Sequence, residues 1–385
     1  MNKVFSGILM VAGTSIGAGI WAIPAVTSEL GFTSSCVCLI VAWLVMFLSA
    51  KMFQCVHGFL PRESHFLGMV SWTLGAKARA VCWVVYLGLL YMLMAAYMAG
   101  MSSVLAKWTG INVITCLSVL VVVAIIFFTN IHVTQQVSWW LMTGLVCSLF
   151  FLLMFMGGHL NPVHLVSSDW HVSSSVFSII LTSFGYQIIL PSLREFINDD
   201  QKLSKVILWG SLVPLVVYII WEAWMFMTFP LTGNLSLSQV LTAGNPNVVI
   251  PQMLVDITQN QKIRLFAEVF SFFTIATSFI GVAQSLVDFL KEGLSFVQHQ
   301  GCRQWCASIC SYVLPCLFVV FYPRGFIMAL DYAGILVAIL LLAFPVMMFW
   351  SLVRQGHMPA DSASGLLIGS PFVMGSAVLL FFMSL

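Results

Sequence analysis

The chain has 385 residues, of which 61% are hydrophobic and only 7% charged, and its formal net charge is +2. A soluble domain carries about 25% charged residues, so this composition excludes a mainly water-exposed surface. The small net charge also argues against nucleic acid as a partner. The mean hydropathy of +1.03 predicts an all-α integral membrane protein, whose spans need about 20 apolar residues each.

Apolar runs bounded by polar, Pro or Gly clusters predict eleven membrane-spanning helices in a single membrane domain. We interpret the first run as a helix and not as a signal peptide, because its apolar stretch is too long. The predicted spans are residues 4–29, 34–60, 79–106, 111–129, 137–157, 173–197, 203–229, 264–290, 307–322, 326–350 and 364–384.

The basic residues predict the orientation of these spans. With the N-terminus in the cytoplasm, eleven of the 15 Lys and Arg residues lie on the cytoplasmic side and four lie outside. Cytoplasmic loops are enriched in Lys and Arg, so this orientation is favoured, and an odd number of spans places the C-terminus outside. The longest polar connection, 230–262, then lies outside, either as a solvated loop or as a lid over a binding site.

Two spans are interrupted by residues that weaken a helix. The first contains GTSIGAG at 13–19, and each Gly disfavours a helix by about 1 kcal/mol relative to Ala. Such glycines serve either close helix packing or an unwound segment lining a polar cavity. The sixth span contains TSFGYQ at 182–187, followed by Pro191.

Paired interruptions in the first and sixth spans are typical of transporters built from two inverted five-helix repeats. The sequence therefore predicts repeat one over about 1–157, repeat two over about 173–350 and an additional helix at 364–384. A half-helix beginning near Ala18 would expose N–H groups at its positive end to a substrate carboxylate. Carbonyl ends and hydroxyls could accept an ammonium group or a cation, which suits a zwitterion.

Polar side chains within the spans supply further candidates. Glu222 and Asp331 lie deep in their spans, and each is either a coupling group for protons or a carboxyl hydrogen-bonded within the bundle. Thr274, Thr277 and Ser278 form a hydroxyl cluster, which serves either as contacts between helices or as oxygen ligands for Na⁺. Two further candidates from the third span could face the cavity or serve packing: Tyr91 and Tyr97.

Ten cysteines are scattered along the chain, mostly within apolar runs, where Cys behaves as a small hydrophobe. Cys302, Cys306 and Cys310 are spaced four apart and could line one helix face, but no carboxylate lies among residues 299–315, and no metal site is predicted. We also expect no cofactor.

Four segments resemble the bacterial aromatic amino acid permeases of the amino acid–polyamine–organocation superfamily: VAGTSIGAGIWAIP, TSFGYQIILPS, ATSFIGVAQSLVDFL and FYPRGFIMALDYAG. The resemblance implies a bacterial inner-membrane protein with the inverted-repeat fold. Helices one and six would be broken at the midplane, with the substrate between them and helices three and eight. It also implies proton-driven uptake of tyrosine, or of tryptophan or phenylalanine.

The resemblance implies that 13–19 cradles the backbone of the amino acid, with 183–186 as the opposite wall. It also places Thr277 and Ser278 where related sodium-coupled transporters hold sodium, so proton and sodium coupling both stay open. Asp331 departs from the family pattern, which has a small residue there. The predicted substrate-binding residues are Gly13, Thr14, Ser15, Gly17, Ala18, Gly19, Tyr91, Tyr97, Ser183, Phe184, Gly185, Tyr186 and Thr274. The ion-coupling candidates are Thr277, Ser278, Glu222 and Asp331.

Two other classes of membrane protein are less favoured. A channel would need a repeated charged ring or a filter motif, and no such pattern is visible. An intramembrane enzyme would need a nucleophile–base pair or a metal motif such as HExxH. The sequence has no HExxH, and GTSIG at 13–17, which matches GxSxG in letters, lies inside an apolar span and not between a strand and a helix. We therefore expect a transporter and no enzymatic activity.

Overall fold

The chain folds into packed helices in a computed structural model. The structure describes residues 3–383 except 18, 63, 118, 120, 122–130, 163–164, 166–173, 231–232, 244, 295–298, 323–324 and 358–359. No β-strand occurs within this described part. The predicted all-helical class is therefore confirmed.

Sixteen α-helices are described in these ranges. They are α1 (Lys3–Ser15), α2 (Gly19–Val26), α3 (Gly31–Gly58), α4 (Phe66–Leu74), α5 (Ala76–Thr109), α6 (Ile131–Met156), α7 (Ser174–Ser183), α8 (Leu190–Ile197), α9 (Asp200–Thr228), α10 (Leu237–Ala243), α11 (Pro246–Thr258), α12 (Gln261–Gly293), α13 (Gln300–Phe321), α14 (Phe326–Val337), α15 (Phe344–Arg354) and α16 (Ala360–Met383).

Eight helical segments in the described ranges are long and apolar enough to cross a membrane, and α1 with α2 forms a ninth span bent by 53°. One of the eight runs from α7 to α8 and another from α14 to α15. The described apolar part of α16, Gly365–Leu380, is shorter. The predicted fourth span, 111–129, falls largely outside the described residues, so the count of eleven stays a prediction.

Several helices extend beyond the apolar runs that predicted them. Helix α5 covers Ala76–Thr109 where 79–106 was predicted, and α13 covers Gln300–Phe321 where 307–322 was predicted. The added turns carry polar and charged residues such as Lys77 and Arg303, whose long side chains allow a helix to continue past its apolar run while the charged head reaches water. Hydropathy alone therefore underestimates the length of these helices.

The tenth span contains an irregularity that its apolar sequence conceals. A π-helix, Ala338–Ala343, joins α14 to α15. Pro345 has no N–H with which to bond the carbonyl of Leu341, four residues earlier. That carbonyl accepts a hydrogen bond from the Ser49 hydroxyl of α3 instead. A neighbouring helix therefore supplies the donor that the proline cannot.

The 230–262 connection is not a solvated loop. It contains α10 and α11, which pack against α2, and α11 also packs against α12. Buried apolar side chains face these neighbours: Leu237, Val240, Ile250 and Leu254. The solvated-loop alternative is therefore wrong, and the lid alternative stays a prediction.

Long-range packing brings the two broken spans to the middle of the bundle. Helix α1 packs along α9, and α7 packs against α2, α3 and α14. Helix α6 packs along α12, and α14 packs along α5. The breaks between α1 and α2 and between α7 and α8 therefore lie among the long helices α3, α5, α9 and α12.

Charged residues collect at one end of the bundle, which we call the basic face and define by Lys3, Lys51, Arg62, Arg194 and Lys202. Arg194 is only 4% exposed. Its guanidinium donates to the carbonyls of His57 and Leu60 at 2.5 and 3.1 Å and to the Asp200 carboxylate at 2.9 Å. It thereby adds donors to carbonyls at and just beyond the C-terminal end of α3, where the regular helical bonds have ended.

The opposite end, which we call the loop face, carries α10, α11 and a small charged cluster. Glu268 accepts a hydrogen bond from Arg264 at 3.2 Å and lies 3.7 Å from the Lys107 ammonium. The Ser271 hydroxyl donates to the carbonyl of Asn247 at 2.5 Å. These contacts join α5, α11 and α12 at this end.

Candidate functional site

The first break separates α1 from α2. The regular hydrogen bonds of α1 end with Ile16 N–H to Ala12 O at 2.9 Å, and the next described bond joins Ile20 N–H to Gly17 O at 3.1 Å. Ala18, the predicted start of a half-helix, lies outside the described residues. The C-terminal carbonyls of α1 consequently need donors from elsewhere in the molecule.

The second break lies between α7 and α8, as the sequence predicted. Helix α7 ends at Ser183, a 3₁₀-helix covers Tyr186–Ile189, and α8 follows. Phe184 N–H bonds to Leu181 O at 3.0 Å and Gly185 N–H to Thr182 O at 3.1 Å. These tightened turns free the carbonyl of Ser183 from the regular helical pattern.

The two breaks touch each other and α12 through glycines. A Cβ placed on Gly19 would lie 2.5 Å from the Ser183 hydroxyl oxygen. A Cβ on Gly17 would collide with the hydroxyl of Ser278 in α12. Residues predicted from the first, sixth and eighth spans therefore meet at one place, and only glycine permits that approach.

Helix α5 adds one of its two candidate tyrosines to this place. Tyr97 is 9% exposed, and its hydroxyl lies beside that of Ser278. The Tyr91 hydroxyl points instead to the carbonyl of Cys310 in α13, at 3.4 Å. The structure therefore brings Tyr97, but not Tyr91, to the breaks.

The α12 hydroxyls are turned toward their own helix. Thr274 donates to Ser271 O at 2.9 Å, Thr277 to Phe273 O at 2.9 Å and Ser278 to Thr274 O at 3.0 Å. A hydroxyl has a single proton, so these groups offer a ligand only the lone pairs of their oxygens. Such oxygens can accept a hydrogen bond or ligate a hard cation.

Two residues predicted from the first span lie away from the breaks. Thr14 is exposed, and its hydroxyl donates to Met10 O at 2.7 Å. A Cβ on Gly13 would collide with the Met142 side chain of α6, so Gly13 serves close packing between helices. Ser15 is buried, and its own hydroxyl donates to Val11 O at 3.2 Å.

Helix α9 supplies two central residues that sequence reasoning missed. The Tyr218 hydroxyl lies 2.6 Å from Ser15 O and 3.0 Å from Ser183 O. The Trp221 indole N–H donates to Ile20 O at 2.8 Å, in the first turn of α2. Tyr218, Trp221 and Glu222 lie on one helix face. That spacing could have identified the two aromatic residues from the sequence, but among the three only the ionisable Glu222 was predicted as a candidate.

Aromatic rings surround the breaks. Phe184 packs edge-on to Tyr218 with 5.3 Å between ring centroids, and both side chains are fully buried. Trp21, Trp221 and Phe270 form a second group with centroid distances of 5.0 to 5.6 Å. Buried aromatic faces of this kind suit a planar apolar side chain.

Glu222 lies behind α2 and is completely buried. Its Oε1 accepts a hydrogen bond from the Thr27 hydroxyl at 3.0 Å, and its Oε2 has no partner within the described part of the chain. Among the described ion pairs, none includes Glu222. An ionised carboxylate in such a place is costly, so these surroundings favour the neutral acid.

Asp331 lies apart from both breaks. Its Oδ2 accepts a hydrogen bond at 3.1 Å from the Ser175 hydroxyl near the start of α7, about two turns before the second break. The residue as a whole is half-buried, but its Oδ1 is buried and, like Oε2 of Glu222, has no partner within the described residues. The two carboxyl candidates therefore differ in position, and Glu222 is the one behind the first break. Across the described residues, no group of three or more metal-ligating side chains is assembled.

The sequence matches the model of the tryptophan/tyrosine permease family over residues 1–371. The chain belongs to this family. The match covers more than nine-tenths of the chain, including both breaks, α9 and α12. The permease is accordingly a multi-pass membrane transporter and not an enzyme.

Curated relatives of the permease come from several bacteria. The tyrosine-specific transport system 2 of Haemophilus influenzae is 26% identical over 94% of this chain and 92% of that protein. The tryptophan-specific transport protein of Pseudomonas aeruginosa is 26% identical over 98% and 92%. Glutamine transporter 2 of Aliivibrio fischeri is 23% identical over 92% and 90%. Related carriers thus bear the names of both aromatic and non-aromatic amino acids.

Proposed function

We propose that this permease imports an aromatic amino acid, tyrosine in the first place, across the bacterial inner membrane by proton symport. The observation that carries the proposal is the meeting of the two helix breaks inside a buried aromatic enclosure. Free backbone groups at such breaks recognise the charged ends of a zwitterion. The surrounding rings offer an apolar contact to its side chain.

The proposed recognition divides the substrate between the two kinds of helix end. The carboxylate docks at the N–H groups at the start of α2, near Ala18 and Gly19, where a helix N-terminus favours an anion. The ammonium donates to a main-chain carbonyl at the breaks, that of Ser15 or that of Ser183. The ring then lies near Phe184 and Tyr97, which are buried against the breaks.

Proton coupling is supported by the environment of Glu222. Its carboxyl is buried, lacks a cation and contacts Thr27 directly after α2. In the proposed cycle, Glu222 carries a proton while the site is closed and releases it when the opposite side opens to water. Burial of the neutral acid costs less than burial of the carboxylate, so the loaded site closes only when Glu222 is protonated. Proton and substrate therefore cross together.

Sodium coupling is the second candidate, and one observation favours it. The Thr277 and Ser278 hydroxyls bond their own helix, which leaves their oxygen lone pairs available to a cation. Gly17, whose carbonyl lies in the first break, is in contact range of Ser278. Hard cations prefer oxygen ligands of this kind.

The inverted repeat is part of the proposal and is supported by reciprocal packing. Span five packs on span eight through α6 and α12, and span ten packs on span three through α14 and α5. Span one packs on span seven through α1 and α9, and span six packs on span two through α7 and α3. Exchanging the proposed repeats exchanges the members of each pair of contacts, which an internal two-fold relation requires.

Uptake into proteoliposomes tests the proposal. Labelled tyrosine, tryptophan, phenylalanine and glutamine are compared under an imposed proton gradient and an imposed sodium gradient. We expect proton-driven accumulation of tyrosine, with competition from the other aromatic amino acids and weak competition from glutamine. Accumulation driven only by sodium would move the coupling site to Thr277 and Ser278. A correctly inserted protein that accumulates only glutamine would contradict the aromatic assignment.

A further inference from the structure

Tyr218 is placed where the two broken helices meet. Its side chain is fully buried, and its hydroxyl contacts main-chain oxygens from both breaks, Ser15 O at 2.6 Å and Ser183 O at 3.0 Å. The ring is held by Phe184 at 5.3 Å between centroids. No other hydroxyl among the described hydrogen bonds contacts the ends of both α1 and α7.

The Tyr218 hydroxyl cannot satisfy both of these carbonyls. A phenol has one proton, so Tyr218 can donate to only one of the two carbonyls at a time. The neighbouring serine hydroxyls do not supply the missing donor, because Ser15 donates to Val11 O and Ser183 to Ile179 O. One helix-terminal carbonyl is therefore left without the phenol proton and can accept a hydrogen bond from a further donor.

We propose that Tyr218 is the positioning residue for the substrate ammonium. It holds the carbonyls of Ser15 and Ser183 close together, so that a primary ammonium donates to the carbonyl that the phenol does not. This inference rests on the proposed function and adds to it a chemical requirement. Ligands with the same ring and carboxylate but no amino group lack that donor and are recognised poorly.

The rest of α9 supports this assignment. Trp221 bonds Ile20 O at 2.8 Å and Glu222 bonds Thr27 at 3.0 Å, so the same face of α9 follows the chain from the first break to the end of α2. Tyr218 is thus fixed relative to both parts of the broken span. Tyr97 is buried at the same breaks, where the substrate ring is proposed to lie.

Another tyrosine provides a matched control. Tyr312 in α13 is 1% exposed, and its hydroxyl has no hydrogen-bond partner within the described part of the chain. Y312F therefore removes a buried phenol hydroxyl without removing a bond between helices. Y218F makes the same chemical change at the junction of the breaks.

The experiment compares wild type, Y218F and Y312F in proteoliposomes. Inhibition of labelled tyrosine uptake is measured with unlabelled L-tyrosine and with its desamino analogue, 3-(4-hydroxyphenyl)propionate. For Y218F we expect KM for tyrosine to rise about tenfold, the scale of one hydrogen bond to a charged group. The inhibition constant of the analogue should stay unchanged, so discrimination between the two ligands falls about tenfold. Y312F should match wild type.

Several results would overturn the positioning role. One is an equal loss of affinity for both ligands in Y218F. Another is a lower maximal rate with unchanged discrimination, and a third is a change confined to the apparent affinity for sodium. If Y218F is not monodisperse, the ratio is measured on Tyr218→His, whose shorter side chain reaches one carbonyl at most. A wild-type ratio in Y218H would then count against the inference.

Failure of the inference differs from failure of the proposed function. A wild-type protein that transports neither tyrosine nor tryptophan refutes the proposed function before any variant is made. A wild-type protein that transports tyrosine, with unchanged discrimination in Y218F, refutes the role of Tyr218 alone.

Discussion

Glu222 stands one helical turn beyond Tyr218 on the same buried face of α9. The two residues have different partners, because Tyr218 contacts the helix ends at the breaks whereas Glu222 contacts Thr27 behind α2. At the residue scale, the groups proposed for substrate recognition and for proton binding are therefore adjacent but separate. A substitution at either residue can change one without removing the other.

Glu222→Gln keeps the size of the side chain and its ability to bond Thr27, but it removes the site that gains and loses a proton. We expect accumulation driven by a proton gradient to fall at least tenfold, while exchange of labelled for unlabelled tyrosine continues. The control is Asp288→Asn, at an exposed carboxylate paired with Lys291 of the same helix, because isolated exposed ion pairs contribute about 1 kcal/mol or less. Undiminished proton-driven accumulation in E222Q would exclude Glu222 as the coupling group.

Gly17→Ala tests the contact between the first break and α12. The added Cβ meets the Ser278 hydroxyl, and overpacking of this kind costs about 1–3 kcal/mol. We expect uptake to fall by roughly tenfold or more, with normal membrane insertion. Ser278→Ala in the same chain removes the obstructing oxygen and should restore part of the activity.

Gly281→Ala is the control for that prediction, because it lies on α12 where a Cβ meets open space. It should transport as wild type does. A double variant of Gly17→Ala and Ser278→Ala no better than the single glycine variant would show that the lost activity has another cause.

At the scale of elements, α11 is the part of the loop face best placed to cover the first break. It packs on α2 and is joined to α12 by the bond from the Ser271 hydroxyl to Asn247 O. It lies on the far side of α2 from the basic face, as a lid over the site would. Opening of the site toward this side requires α11 to separate from α2 or to move with it.

Ser271→Ala should loosen α11. Loss of one buried hydrogen bond costs about 1 kcal/mol, so hydrogen exchange of the amides of Pro246–Thr258 should accelerate roughly fivefold. The matched variant is Ser285→Ala, whose described hydroxyl bond stays within its own helix, to Gly281 O at 2.9 Å. Equal exchange in both variants would mean that the Ser271 bond does not hold α11 in place.

At the scale of the whole molecule, the two faces differ in charge and in structure. The basic face carries Lys3, Arg194 and Lys202, and the Lys3 ammonium donates to Phe196 O at 3.2 Å. This bond joins the start of α1 to the end of α8. Placed in the cytoplasm, the basic face satisfies the enrichment of cytoplasmic loops in Lys and Arg.

Reporter fusions test this orientation. Alkaline phosphatase fused after α16 should be active, because we expect the C-terminus to lie outside, whereas a fluorescent protein that folds only in the cytoplasm should stay dark there. The same reporters placed after α9, at the loop face, should give the same pattern, and placed after α4 the reverse. The opposite activities would place the loop face in the cytoplasm and the basic face outside.

Much of the centre of this protein could be predicted from local sequence. Glycines and hydroxyl residues at 13–19 and 182–187 weaken a helix by their own conformational preferences, and both segments are broken in the structure. Composition likewise determines the membrane environment, because seven charged residues in a hundred cannot cover a soluble surface. These properties depend on residues near one another in the chain.

The selection among candidate residues required the tertiary structure. Tyr91 and Tyr97 lie on the same helix, but only Tyr97 reaches Ser278; Gly13 and Gly17 lie on the same broken span, but Gly13 meets α6. Tyr218 was missed because its role depends on two carbonyls about 200 and 35 residues away and not on its neighbours in sequence. Sequence determined where the helices break, since backbone preference is local. Folding decided which side chains meet at those breaks, since packing joins residues distant along the chain.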